Sequence, residues 1–223
     1  MKLIMDENEI VQLVHHQIKN FWGGVGQRRL NGDLKIEISK SLQRIEKCFS
    51  KIHAKRIWEN GESVFSPFHT TSWTIFLYYL SNELSKRDKN AADMIYYLNK
   101  TLHSVDWYHE IILPDYFFAE HPLCSILGRA KYSNYLLIYQ GTTIGGSSKN
   151  GTLFYPVLGE NVILYAGSSI LGNCHIGSNV ILSANTCVKN EDVPSDSIVY
   201  GQSPNLIIKK NKETIKKLNQ IWK

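Results

Sequence analysis

From about residue 120 onward the chain is governed by a period of six. Leu158, Leu164, Ile170, Ile176, Leu182 and Val188 stand six residues apart without a slip, and Ile126, Tyr132, Ile138 and Ile144 keep the same spacing upstream. Nine of these ten positions are aliphatic. With about half of an ordinary chain apolar, chance puts ten such residues in register roughly once per thousand frames. Four residues after a guide position stands a small or β-branched residue (Val162, Ser168, Cys174, Val180, Thr186). Gly or Asn fills many places between, at Gly159, Gly167, Gly172, Asn173, Gly177 and Asn185. A repeat this short cannot bury its own face, so it must stack on copies of itself as a parallel β-helix. Each hexapeptide supplies a short strand and a corner. Three make a triangular coil of about eighteen residues, and coils stack at about 4.8 Å. Guide residues point into the prism, and corners take residues that accept positive φ. The period does not set the hand of the coil.

The rhythm breaks once. Ile144 to Leu158 is fourteen residues, two more than two coil sides. The excess falls in GGSSKNGTLFYP, Gly145–Pro156, which is expected to leave the prism as a loop. Loops on rigid scaffolds are common places for a site.

Before residue 118 the spacing is helical. Ile10, Val11, Val14, Ile18 and Phe21 form one stripe, and Ile38, Leu42, Ile45, Phe49 and Ile52 a second. Ser72–Lys86 and Ala91–His103 are two further helices, the last with Asn90 as its N-cap. Gly23–Gly26 and Gly61–Pro67 read as breaks. The expected organisation is therefore α+β: a helical domain over 1–118, a parallel β-helix over 119–208, and a basic tail over 209–223 containing a short helix. In that tail Ile215, Leu218, Ile221 and Trp222 share a stripe opposite lysines. It is either a helix docked on the assembly or one lying on a membrane surface.

Composition narrows the class. A length of 223 residues suits one large or two small domains, and 43% hydrophobic with 20% charged residues excludes a disordered chain. A net charge of +5, much of it in the tail, suits an anionic small molecule as well as nucleic acid. Asp6, Glu7 and Glu9 argue against a signal peptide in Met1–Ile10, and the apolar run Trp73–Leu80 is too short to span a membrane. Cys48, Cys124, Cys174 and Cys187 form no CxxC pair, so reduced thiols in a cytoplasmic protein are expected. No HExxH or Cys/His spacing appears, so no metal is expected, and the glycine-rich nucleotide signatures are absent.

The segment PVLGENVILYAGSSILGNCHIGSNVILSANTCV resembles the hexapeptide-repeat acyltransferases, and among them the serine O-acetyltransferases. TIGGSSKNG is similar to that subfamily's TLGGTGKSGG loop. His121, some two dozen residues earlier, matches its catalytic histidine, and GQSPNLIIKK is similar to its closing GxPA segment. The resemblance covers roughly residues 120–210. It implies a left-handed β-helix, acetyl-CoA as co-substrate without a metal, and a homotrimer with CoA lying along the coils in clefts between prisms. Trimers of that subfamily can pair through their helical domains. Two departures stand out. Glu120 replaces the Asp before the histidine. Phe154-Tyr155-Pro156 stands where the subfamily has an Arg-His-Pro that helps hold the serine carboxylate, so a bidentate carboxylate partner is missing.

An acetyl thioester is already activated, so the protein must supply a base, an oriented acceptor and a donor for developing charge. The resemblance makes His121 the base and lets Glu120 orient the imidazole or the acceptor; otherwise His121 merely caps the junction before Pro122. Adjacent strand residues face opposite ways, so a direct Glu120–His121 contact requires a bend. Gly145 and Gly146, with Ser147 beside them, let backbone N–H groups approach the thioester or pantetheine arm, or form an ordinary turn. Lys149 meets a CoA phosphate, closes the site, or is a solvated loop lysine. Ala166 and Ala184, eighteen residues apart, stack as small residues against which the pantetheine arm lies, or simply pack a corner. Phe154 and Tyr155 stand on the acceptor side, where Tyr155 packs on a sugar ring, donates a hydrogen bond, or touches a neighbouring subunit. Lys209 or Lys210 could meet the CoA 3′-phosphate.

His15, His16, His53 and His103 read as surface or interface groups, and His175 as facing solvent or the next subunit. His69 and His109 could reach the site from the helical domain, though no spacing supports it. The expected activity is transfer of acetyl from acetyl-CoA to a hydroxyl of a small acceptor, serine or a sugar. The alternatives are N-acetylation of an amino sugar and a trimeric scaffold without catalysis.

Overall fold

The computed structural model describes residues 1–30, 32–54, 57–210 and 222. The chain forms two compact units, Met1–Glu110 and Ile111–Lys223.

The first unit holds four helices: α1 (Glu7–Arg29), α2 (Lys35–Phe49), α3 (Thr70–Leu84) and α4 (Lys89–His103). α1 opens on a capping box, with Asp6 Oδ1 accepting the Glu9 N–H at 2.9 Å and Glu9 Oε2 accepting the Asp6 N–H at 2.8 Å. Ile10, Val14 and Ile18 are buried as the stripe requires, but Phe21 is 47% exposed. Two residues on, Gly23 breaks the helix with φ 56° and ψ −149°. The second stripe is buried throughout, from Ile38 to Ile52. Trp73–Leu80 is buried on every side, which is why α3 shows a continuous apolar run rather than a stripe.

Three expectations are corrected here. The N-cap of α4 is Asp88, not Asn90: Asp88 is extended and its carboxylate accepts the Ala91 N–H at 3.1 Å, while Asn90 already lies inside the first turn. Gly61–Pro67 is not simply a break. Trp58–Glu59 pairs antiparallel with Glu62–Phe65 around Asn60-Gly61, whose φ values of 51° and 88° suit a tight hairpin turn. Glu62–Phe65 also pairs in parallel with Lys2–Leu3. Finally, His103 is not a surface group. It is buried with Nδ1 2.7 Å from Asn99 Oδ1, and burial pushes its pKa down to about 4. His109 is buried as well, with Nε2 2.9 Å from Asp93 Oδ1.

The second unit is a stack of parallel coils. One column of strands runs Phe117–Ala119, Leu136–Ile138, Ile163–Leu164, Ile181–Leu182 and Ser197–Tyr200, each paired with the next. The second runs Ile126–Leu127, Thr143–Gly145, Ser169–Leu171 and Cys187–Lys189. The third joins Val157–Leu158 to His175–Ile176, with bridges to Lys131 and Val193. Partners such as Ile163 and Ile181, or Ser169 and Cys187, are eighteen residues apart, one coil per turn. The guide residues Ile138, Ile144, Leu158, Leu164, Ile170, Ile176, Leu182 and Val188 are at most 3% exposed, and Val162, Ser168, Cys174, Val180 and Thr186 are fully buried. At one corner Tyr135, Asn161, Asn179 and Asp196 all take left-handed backbone, with φ of 65°, 58°, 59° and 56°. Asn161 donates to Asn179 at 3.0 Å and Asn179 to Asp196 at 2.9 Å, so the corner carries a side-chain ladder.

The register departs from expectation twice. Ile126 is 45% exposed, and Leu127 takes the inward place beneath Ile144, so the lowest coil is shifted by one residue. The loop excess is eight residues, not two: Ile144 and Ile170 are 26 residues apart where the next coil needs eighteen. Val157–Leu158 takes the third column directly after Thr143–Gly145, and everything between leaves the prism. Ile207–Lys210 closes the stack as an antiparallel strand against Ser197–Tyr200, so Lys209 is part of the sheet rather than of a tail. The expected helix and its Ile215, Leu218 and Ile221 lie outside the described residues. Among the described residues no helix is long and apolar enough to cross a membrane.

Candidate active site

Six residues separate the inward positions of the first and second columns in the regular coils: Ile138 to Ile144, Leu164 to Ile170, Leu182 to Val188. The lowest coil takes eight, because Ala119 pairs with Ile138 and Leu127 with Ile144. The two extra residues form an outward excursion. The ladder holds up to Glu120, whose N–H donates to Ile138 O at 2.9 Å, and resumes where Gly141 N–H donates to Leu123 O at 2.9 Å. Between them His121 sits at φ 50°, and Cys124 follows at φ 56°, an uncommon conformation for residues with a Cβ. This is the bend that a Glu120–His121 contact requires. The His121 side chain is 63% exposed, with Nε2 3.6 Å from Glu120 Oε1. That separation exceeds a hydrogen bond, and the carboxylate would attract the imidazole once it carries a proton.

Beside this pair the first column continues with residues that the period does not flag. Glu120, Tyr139, Tyr165, Ser183 and Tyr200 occupy equivalent places in successive coils, each one residue past the inward position. The rings of Tyr139 and Tyr165 stack with centroids 5.2 Å apart and planes 25° apart. Burial, and then the neighbouring Tyr165 and Glu120, push the Tyr139 phenol above its ordinary pKa. The signal in the sequence was a tyrosine directly after two guide residues, Ile138 and Leu164, obscured by the eight-residue insertion between them. In the adjoining row Gly167 N–H donates to Gln140 O at 2.8 Å and Asn185 N–H to Ala166 O at 2.9 Å. Ala166 is half-buried and Ala184 exposed on this edge.

The excess loop is a hairpin. Ser147–Lys149 pairs antiparallel with Thr152–Phe154, turning at Asn150-Gly151 with φ 50° and 77°. Gly146 is needed because a Cβ there would fall 2.8 Å from the Tyr155 ring and from Phe154 O. Ser147 Oγ donates to Asn190 Oδ1 at 3.1 Å, and the same oxygen accepts the Asn173 N–H at 2.9 Å, fastening the hairpin base to the coil. Gly145 pairs with Leu171, Lys149 is exposed near the tip, Phe154 is half-buried and Tyr155 is 36% exposed. Lys209 lies over the Tyr200 ring, 5.6 Å from its centre. The expected site residues thus form three groups. Glu120, His121, Ala166 and Ala184 follow the edge of the first column; Gly145 to Tyr155 ride the hairpin from the second; Lys209 belongs to the closing strand. His175 is exposed on the third column, Nδ1 3.2 Å from Asp192 Oδ1. Among the described residues no cluster of three His, Cys, Asp or Glu could hold a metal ion.

Residues 155–190 match the family model described as bacterial transferase hexapeptide, six repeats. Among curated proteins, the serine acetyltransferase of Synechococcus elongatus is 37% identical over 48% of this chain and 44% of its own length. That of Staphylococcus xylosus is 30% identical over 64% of this chain and 66% of its own. The chain resembles the hexapeptide-repeat, serine acetyltransferase-like family. The likeness first seen over residues 120–210 is borne out, although the chain spans only about half to two thirds of the length of these relatives. In three dimensions a solved serine acetyltransferase in complex with CoA aligns with a TM-score of 0.65 at 18% identity, covering 88% of this chain and 82% of that one. At that identity the likeness concerns the fold.

Proposed function

We propose that this chain is an acetyl-CoA-dependent O-acetyltransferase acting on a small hydroxyl-bearing acceptor, with His121 as general base. The observation that carries the proposal is the two-residue excursion that lifts His121 out of the lowest coil beside Glu120, at the position that matches the family's catalytic histidine. Acetyl-CoA supplies an acetyl group already activated as a thioester. His121 takes the proton from the acceptor hydroxyl as the oxygen bonds to the acetyl carbon, and returns it to the departing sulfur. Glu120 orients the imidazole and steadies its positive charge. The small side chains of Ala166 and Ala184 suit a pantetheine arm. Lys149 and Lys209 are cations of the right sign for its phosphates. The finer expectations belong to the same proposal: a left-handed coil, a homotrimer with sites between prisms, and a cytoplasmic location.

L-Serine is the acceptor that the curated relatives suggest. A sugar hydroxyl is the second reading, favoured by Phe154 and Tyr155 on the hairpin, where a charged pair would serve a carboxylate. Purified protein with acetyl-CoA and an acceptor panel should release free thiol in an acceptor-dependent way. Changing His121→Ala should lower kcat about 10²–10⁴-fold with the melting temperature unchanged. Absence of acceptor-dependent release by the unaltered protein contradicts the proposal.

A further inference from the structure

The row that begins at Glu120 carries more aromatic surface than a coil edge needs. Tyr139 and Tyr165 face outward, are half-buried, and stack in parallel. Their place is fixed from below: Glu120 N–H donates to Ile138 O, Tyr139 N–H to Leu164 O at 3.0 Å, and Tyr165 N–H to Leu182 O at 3.0 Å. Stacked rings on a hydrogen-bonded ladder have little conformational freedom left to lose when a ligand arrives. The following place in the row is Ser183, so the side of Tyr165 turned away from Tyr139 meets a small residue, and the next ring is Tyr200. Tyr139 stands one coil spacing from Glu120 and Tyr165 two, about 5 and 10 Å, so a ring-sized acceptor beside Glu120–His121 lies within reach of both.

The charge of the row matters as much as its shape. From Glu120 to Tyr200 it offers one carboxylate, neutral phenols and a serine; the cation that follows, Lys209, lies over Tyr200. A phenol such as Tyr139 is protonated near neutral pH, able to donate and to accept a hydrogen bond. Such a surface opposes a free carboxylate and suits a polyhydroxylated ring, whose C–H face packs on phenol rings while its hydroxyls bond to phenol oxygens and to Glu120.

We infer that Tyr139 and Tyr165 form the acceptor-binding wall beside Glu120–His121, and that the acceptor is a hexose or hexose derivative. This rests on the acetyl-transfer reading above and names the acceptor within it. The two tyrosines bind and orient; His121 remains the base.

The test uses the full chain with acetyl-CoA and four probes: glucose, galactose, UDP-glucose and L-serine. Thiol release gives kcat and KM for each, and calorimetric titration gives binding of the sugar probes without turnover. At least one sugar probe should have a lower KM than L-serine. Tyr139→Leu and Tyr165→Ala should each raise that KM about tenfold, leaving the KM for acetyl-CoA within about twofold. Tyr139→Phe and Tyr165→Phe, which keep the stack and lose only a hydroxyl, should show smaller increases and guard against misfolding as the cause. The inference is overturned if L-serine is preferred, if the tyrosine variants leave the sugar KM unchanged, or if they raise the KM for acetyl-CoA instead. Turnover with no probe, combined with tyrosine-dependent sugar binding, would count against acetyl transfer while upholding the wall. Neither turnover nor binding would overturn both.

Discussion

Among the described residues the helical unit buries ionisable side chains, and the coiled unit buries only hydroxyls as its polar groups. In the helices Ser41, Thr74 and Ser81 donate to backbone oxygens one turn earlier, but buried ionisable groups also meet charged or amide partners. Glu37 meets Arg87 at 2.7 Å, Glu83 meets Arg44 at 2.8 Å and Lys86 at 2.6 Å, and His103 meets Asn99. In the coils the buried polar groups among the described residues are hydroxyls, and in three of them one bond recurs, to the backbone three residues earlier. Ser125 donates to Pro122 O, Thr142 to Tyr139 O and Ser168 to Tyr165 O, at 2.6, 2.7 and 2.6 Å. The helical unit thus adds distinct charged pairs to its backbone bonds, while the solenoid relies on neutral groups and a repeated bond. Irregularity in the solenoid is therefore informative: both insertions, at Glu120–Leu123 and in the hairpin, coincide with candidate site residues.

This contrast can be broken by mutation. The largest stability effect is expected in the coil core, where Leu164 lies between Ile138 and Leu182 and is fully buried. Leu164→Ala should cost about 2–5 kcal/mol in denaturant unfolding. The loss should be the same at pH 7 and pH 5.5, because the buried polar groups around the coil are uncharged hydroxyls.

Acid should act on the helices instead. His103 has a folded pKa of about 4 against an ordinary 6.5, so between those values the unfolded chain binds the extra proton. Its contribution is intact above about pH 6.5 and is lost as pH falls toward 4, amounting to about 3 kcal/mol across that window. A His103→Gln variant should flatten the pH dependence of the melting temperature over that range. Glu37 acts in the same direction at lower pH, since Arg87 holds its carboxyl below the usual range. A melting temperature that ignores pH between 6.5 and 4 would erase the distinction between the units.

The smallest effect probes the corner ladder. Asn179→Ala removes both ladder bonds and puts a less tolerant residue at φ 59°. A loss of about 1–2 kcal/mol is expected. Asn179→Gly, which relieves the backbone but not the bonds, should cost less.

Much of this was legible in the residues, and what was not has physical causes. The six-residue rhythm located the guide residues from Ile138 to Val188, because each must fill the same prism. It failed at Ile126, where the excursion shifts the lowest coil and Leu127 is inward instead. Counting residues across the hairpin could not say how many sides the chain had passed, so eight extra residues looked like two. Asn90 and Asp88 are both capping types, and only backbone geometry separates them. His103 looked exposed because helix spacing does not reveal that α4 is covered on that side. Tyr139 and Tyr165 were missed because outward places in a hexapeptide are unconstrained by the fold. A bulky residue there is a signal only once the coils are aligned.

The most direct measurement is a crystal structure of the protein with CoA. The account predicts left-handed coils with CoA lying along Ala166 and Ala184 between two copies of the chain, its sulfur within about 3.5 Å of His121 Nε2. CoA bound with its sulfur remote from His121, or a protein that takes up no CoA, would contradict it.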